Sequence, residues 1–151
     1  MSLRVADYLT FSNLALGFVS IMLVLDGQTE IVPYLLLAAV LFDFFDGKVA
    51  RMTRPTRFGA EIDSLADLVS FCVAPAILSG SYFGILLVLG GAFRLARFNT
   101  ENKKDFSGLP VTVNGVALPL LYIIGVSEYI MIAYLLIASA LMVSKVKIKK
   151  L

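Results

Sequence analysis

Six apolar segments, at roughly residues 8–25, 31–46, 62–79, 82–98, 109–125 and 127–144, take up most of this 151-residue chain. A backbone surrounded by lipid must satisfy its own N–H and C=O groups, so such segments are expected to be helices. At about 20 residues per span, six spans use about 120 residues and leave about 31 for loops and ends. No separate soluble domain fits beside them. Composition agrees: 59% of residues are hydrophobic, 16% are charged, and the mean hydropathy is +0.89. A soluble domain is closer to half apolar and a quarter charged. The expected fold is therefore all-α and polytopic, with six transmembrane helices in a single membrane domain over residues 1–151.

The cations fix an orientation. Arg4 precedes the first segment. Lys48, Arg51, Arg54 and Arg57 surround the second connection. Arg94, Arg97, Lys103 and Lys104 surround the fourth, and Lys145, Lys147, Lys149 and Lys150 follow the sixth segment. These are all 13 Lys and Arg residues. The connections after segments one, three and five carry Asp26, Glu30 and Glu128 instead. With six spans every cation falls on one side, and the positive-inside rule places that side and both termini in the cytoplasm. Arg4 followed by an apolar run loosely fits a cleaved signal peptide. Asp7 and Asn13 interrupt it, however, and no small-residue cleavage site follows, so the first segment is expected to be retained.

The chain has no His and a single Cys, Cys72. Ser–His and Cys–His catalysis, His-ligated zinc, C-x-x-C sites and an intrachain disulfide are all excluded. Chemistry is left to carboxylates, hydroxyls, amides, Lys, Arg or a bound metal. Four aspartates stand out, because ionisable groups in or beside membrane spans are costly and are functional by default. Asp43 and Asp46 are i, i+3; Asp63 and Asp67 are i, i+4. Each pair shares a helix face, and both pairs flank the second connection. Antiparallel neighbours would bring all four together. Two like charges ~5 Å apart repel by ~3 kcal/mol at an effective dielectric of ~20. Protons, the nearby arginines or metal ions must neutralise them, and an all-oxygen site suits Mg²⁺ or Mn²⁺.

These positions read Asp43-x2-Asp46-Gly47-x2-Ala50-Arg51-x7-Gly59-x3-Asp63-x3-Asp67. The pattern resembles the signature of the CDP-alcohol phosphotransferases, with one residue fewer than usual between Arg51 and Gly59. The runs Asp63 to Pro75, Arg94 to Asn99 and Gly108 to Pro110 further resemble the phosphatidylserine synthase branch. Cys72, Thr112 and Asn114 depart from that branch. The resemblance implies a six-helix core with a polar cavity open to the cytoplasm and two divalent metal ions, Mg²⁺ or Mn²⁺. It matches Asp43, Asp46, Asp63 and Asp67 to metal ligands, and Asp67 also to the general base. It matches Asp46, Gly47, Ala50, Arg51 and Gly59 to nucleotide contacts, with Asn13 approaching the nucleotide from the first span.

The implied reaction is attack of the hydroxyl of L-serine on the lipid-bearing phosphorus of CDP-diacylglycerol or CDP-archaeol, with release of CMP. Arg94 and Arg97, i, i+3 at the end of the fourth span, suit the serine carboxylate. A homodimer is expected by the same resemblance, and no nucleic-acid partner is. Two other readings stay open. One is the same chemistry with glycerol 3-phosphate or inositol phosphate as acceptor. The other is a small ion channel or carrier, against which stand the off-centre acids and the lack of an internal repeat.

Overall fold

The computed structural model describes residues 4–53, 56–100 and 108–145. Arg54, Lys103, Lys104, Lys147, Lys149 and Lys150, which belong to the one-sided cation pattern, lie outside the described residues. The described residues are helical, with no strand among them.

Helix α1, Val5–Leu25, begins where Asp7 accepts the Arg4 backbone N–H at 2.8 Å. It stops at Asp26-Gly27, where Gly27 adopts φ 77°. Helix α2, Val32–Met52, carries Pro33 in its first turn, where a missing N–H costs nothing. Helix α3, Arg57–Leu68, is capped by Thr56, whose hydroxyl accepts the Gly59 N–H at 3.1 Å. It runs on through a π turn at Val69–Val73 into α4, Ala74–Leu78. Pro75 explains that turn: it offers no N–H, and a wider turn relieves its ring against the preceding backbone. The remaining helices are α5, Gly84–Thr100, α6, Thr112–Ile124, and α7, Glu128–Val143. Pro119 lies inside α6, which closes on a left-handed Gly125.

The helical bodies match the six apolar segments, with two extensions. Helix α2 continues past residue 46 to Met52, and the third body starts at Arg57 rather than 62. Helix propensity outlasts apolarity there, so the last turn of α2 and the first turn of α3 are helical beyond the apolar segments.

Helix α1 packs on α2, α3 and the π turn; α2 also meets α6, and α5 packs on α7. The main core gathers Phe71, Cys72, Leu87, Leu118, Leu135 and Met142, and a smaller cluster holds Val32, Leu36, Ala74 and Leu78. The exterior differs from that of a soluble bundle. Asn13, Ser70 and Asn114 are fully buried, while Phe18, Leu41, Leu89 and Ile137 are each about 60% exposed. An apolar exterior around a core that also holds polar groups suits lipid as solvent. Among the described residues only α1, at 21 residues, is long and apolar enough by itself to cross a membrane. The all-α expectation is met, and the described residues hold six helical bodies, but one of them passes this test rather than six. The reasons are physical: α2 carries Asp43, Asp46, Lys48 and Arg51, and α6, at 13 residues, is only ~20 Å long.

Contacts tie one set of helix ends together. Arg4 donates to Thr53 O at 3.0 Å, Asn99 to Glu61 at 3.3 Å, and Arg97 to the backbone carbonyls of Met142, Val143 and Ser144. The described cations therefore gather at one end of the bundle.

Two close approaches set the helix spacing. A Cβ on Gly17 would overlap Ser70 on the π turn, and one on Gly91 would overlap the Cys72 sulfur. Gly17→Val and Gly91→Val are each expected to cost about 1–3 kcal/mol through forced separation of packed helices. Thermal unfolding in detergent measures this, and unchanged midpoints would mean that these contacts do not set the packing.

Candidate metal and nucleotide site

The site is built where the last turns of α2 meet the first turns of α3 and α1. Asp43 and Asp46 come from α2, Asp63 and Asp67 from α3. Carboxylate oxygens of Asp43, Asp46 and Asp63 all lie within 4.8 Å of one another. Asp67 joins them from the inside: it is buried, and its carboxyl is within hydrogen-bonding reach of Asp43. The expectation that the helical register brings these four acids together is met.

Asp46 and Asp63 line a cleft of about 140 Å³ whose other walls include Arg4, Asp7 and Thr10 of the α1 end, Gly47, Ala50 and Thr53 of α2, and Thr56, Gly59 and Ala60 around the start of α3. Thr112 of α6 lies beside Asp43, and Asn13 of α1 reaches the buried Asp67 at 3.5 Å. Each carboxylate is held by its surroundings. The Thr10 hydroxyl donates to Asp46 Oδ2 at 2.7 Å; Ala6 O also lies within reach at 3.1 Å. One hydroxyl proton serves one acceptor at a time, and the shorter contact to a carboxylate is the stronger. Ser70 donates to Asn13 O at 2.9 Å, which pins the π turn to α1 beside Asp67.

The donor set fits a hard divalent cation. It is all oxygen, three carboxylates converge, and Asp63 Oδ1 is buried with no hydrogen-bond partner. Arg51 turns back to Gly47 O at 3.0 Å, and Arg57 is exposed.

Of the residues expected at a nucleotide, Asp46, Gly47, Ala50 and Gly59 line the cleft. Gly47 leaves open space where a Cβ would stand. Arg51 is exposed beside the cleft rather than in its wall. Asn13 lies against Asp67, with its Oδ1 buried and unpartnered. The two arginines expected at an acceptor separate. Arg94 is buried, within electrostatic reach of Asp67, with its Nε buried and unpartnered and its guanidinium 5.8 Å from the Phe98 ring centroid. Arg97 caps the C-terminal carbonyls of α7. Ser64 and Asn99 bond each other across α3 and α5 at 3.0 Å.

Asp7, Thr10 and Thr112 belong to this neighbourhood and were not expected. For the first two a signal existed. Asp7, Thr10, Asn13, Gly17 and Ser20 recur at intervals of three or four along an otherwise apolar helix, and all five are buried. Such a small and polar stripe marks the face turned to the bundle interior.

The comparisons with known proteins agree with this geometry. The family model described as CDP-alcohol phosphatidyltransferase matches residues 3–146. The chain belongs to this family. It is 41% identical to an archaetidylserine synthase of Methanothermobacter thermautotrophicus, over 93% of this chain and 67% of that protein. It is 33% identical to a CDP-diacylglycerol–serine O-phosphatidyltransferase of Helicobacter pylori, over 91% of this chain and 68% of the other. A protein of the same description from Methanocaldococcus jannaschii is 39% identical over 77% of this chain and 59% of its own length. The chain thus spans about two thirds of the length of such relatives.

The Thr10–Asp46 contact gives a prediction. Thr10→Val keeps the shape and removes the hydroxyl that orients a cleft carboxylate. Divalent-ion affinity is expected to fall about 10-fold, read by titrating Mn²⁺ and following the free ion by electron paramagnetic resonance. An unchanged affinity would separate this contact from the metal site.

Proposed function

We propose that this protein transfers the phosphatidyl or archaetidyl group of a CDP-linked lipid to the hydroxyl of L-serine, releasing CMP. The carrying observation is that Asp43, Asp46 and Asp63 converge, with the buried Asp67 beside Asp43, at a cleft that Asp46 and Asp63 line together with Gly47, Ala50 and Gly59. Similarity to relatives described as serine transferases supports serine as the acceptor.

In this reading Asp43, Asp46, Asp63 and Asp67 hold two divalent ions, Mg²⁺ or Mn²⁺. When bound, these supply charge neutralisation at the bridging phosphates. The chain's own residues do the rest. Gly47, Ala50 and Gly59 let the nucleotide approach the backbone of α2 and α3, with Arg51 closing over it from the rim. Asp67, the innermost carboxylate, accepts the proton of the attacking hydroxyl, and Asn13 fixes its orientation. Positioning carries much of the rate, because a metal-bound carboxylate is a weak base. Arg94 presents a buried guanidinium to the acceptor carboxylate, and its unpartnered Nε supports that role. Arg97 is already engaged with the α7 terminus, which favours Arg94 of the two.

The same reading makes the chain one membrane domain of six spans, with both termini and the site in the cytoplasm, working as a homodimer. The gathered cations and apolar exterior support the topology. The resemblance to the family supports the dimer.

The test is CMP release by purified protein in detergent with CDP-diacylglycerol or CDP-archaeol, Mg²⁺ or Mn²⁺, and L-serine. Serine-dependent release is expected, and Asp67→Asn should lower it about 10²–10⁴-fold. Release only with glycerol 3-phosphate or inositol phosphate would move the acceptor assignment, and silence with every acceptor would overturn the reading.

The two arginines should part experimentally. Arg94→Ala is expected to raise the KM for serine at least about 10-fold, with little change for the CDP-lipid, as suits loss of a charge-assisted contact. Arg97→Ala should instead lower thermal stability with the serine KM unchanged. The reverse pattern would exchange their roles.

A further inference from the structure

The cleft has a direction. Along α1 its walls run from Thr10 through Asp7 to Arg4; along α2 from Asp46 through Gly47 and Ala50 to Thr53; at α3 from Asp63 through Ala60 and Gly59 to Thr56. From Asp46 to Thr53 is seven residues, or about 10 Å of helix, the length of a nucleoside monophosphate from phosphorus to the far edge of its base. With the phosphates at the aspartates, the base reaches the level of Asp7.

The polar groups at that level are mostly engaged. The Thr53 hydroxyl donates to Val49 O, the Thr56 hydroxyl accepts the Gly59 N–H, and Arg4 donates to Thr53 O. Asp7 differs. It is only 5% exposed, and its Oδ2 accepts the Arg4 N–H. Its Oδ1 faces Gly59 across the cleft, 3.3 Å from where a Cβ on that glycine would stand. No described hydrogen bond occupies Oδ1. A carboxylate oxygen that lines the cleft, with no described donor of its own, is placed to accept a hydrogen bond from a ligand.

We propose that Asp7 is a specificity residue that reads the pyrimidine base, accepting a hydrogen bond from the exocyclic amine of cytosine. This rests on the proposed nucleotide placement. Uracil presents a carbonyl oxygen at the same position, which faces the carboxylate as acceptor against acceptor and leaves both groups unpaired. Sites built to bond a particular substrate group reject the analogue lacking it strongly. Asp7 thus selects the donor nucleotide, while the aspartates of α2 and α3 act on its phosphates.

Asp7→Asn tests this cleanly. The Asn oxygen can keep the Arg4 N–H bond, while its Nδ2 replaces the cleft-facing acceptor with a donor. Wild type is expected to use CDP-lipid at least about 100-fold better than the matched UDP-lipid in kcat/KM, and Asp7→Asn to narrow that ratio at least about 10-fold, mainly through KM. The KM for serine should not move. Asp7→Ala is the second variant, expected to weaken CDP-lipid without improving UDP-lipid. In parallel, protection of each folded variant against thermal unfolding by CMP and by UMP reads base preference without any turnover. Unchanged preference in both variants would overturn the role of Asp7 while the transferase reading stands. If wild type releases no CMP with any acceptor yet CMP protects it better than UMP in a manner dependent on Asp7, the transferase reading fails and the base contact survives.

Discussion

Four carboxylates brought into contact at the end of an apolar bundle are the constraint on which the rest of the structure depends. They repel one another, and nothing about the packing of apolar helices favours the arrangement. The helices must therefore be held in place by other contacts. The α1 end supplies several: Thr10 bonds Asp46, Asn13 reaches Asp67, and Arg4 ties α1 to the end of α2. Among the described residues, helix α1 is the one helix both long and apolar enough to cross a bilayer by itself. It is thus the natural anchor against which the charged ends of α2 and α3 are set.

The π turn is the second device. Pro75 cannot donate to the backbone one turn earlier, and the helix widens just before it. The widened turn carries Ser70, whose hydroxyl bonds Asn13 O, in the space left by Gly17. One turn earlier stands Asp67. A backbone irregularity in the core thereby fixes the height and rotation of the innermost carboxylate. The resulting register depends on Gly17, Ser70 and Pro75 together, none of which touches the cleft.

Much of this was legible in the sequence, because the signals were local. The spacing of Asp43, Asp46, Asp63 and Asp67 is set by helix geometry alone, and the apolar segments located all six helical bodies. Helix ends were harder. The continuous apolar run stops at residue 46 while α2 runs to Met52, since Lys48, Ala50, Arg51 and Met52 are strong helix formers whether or not they are apolar. The different surroundings of Arg94 and Arg97 were not legible at all. They are three residues apart, and only the arrival of the α7 terminus beside Arg97 engages it. The stripe from Asp7 to Ser20 was readable in principle, but each member alone is an ordinary residue of a membrane helix.

The placement of Asp67 and Arg94 bears directly on how the proposed transfer would run. Displacement at phosphorus proceeds with the attacking and leaving oxygens roughly in line. Asp46 and Asp63 line the cleft in which the proposed nucleotide would lie, so CMP would depart on that side. Asp67 is buried, with Asn13 beside it and the buried Arg94 within electrostatic reach. An acceptor held by Arg94 would then approach from a side other than the cleft, with Asp67 beside its hydroxyl. In-line geometry asks for an acceptor site away from the nucleotide, and an arginine that reaches Asp67 without lining the cleft suits it.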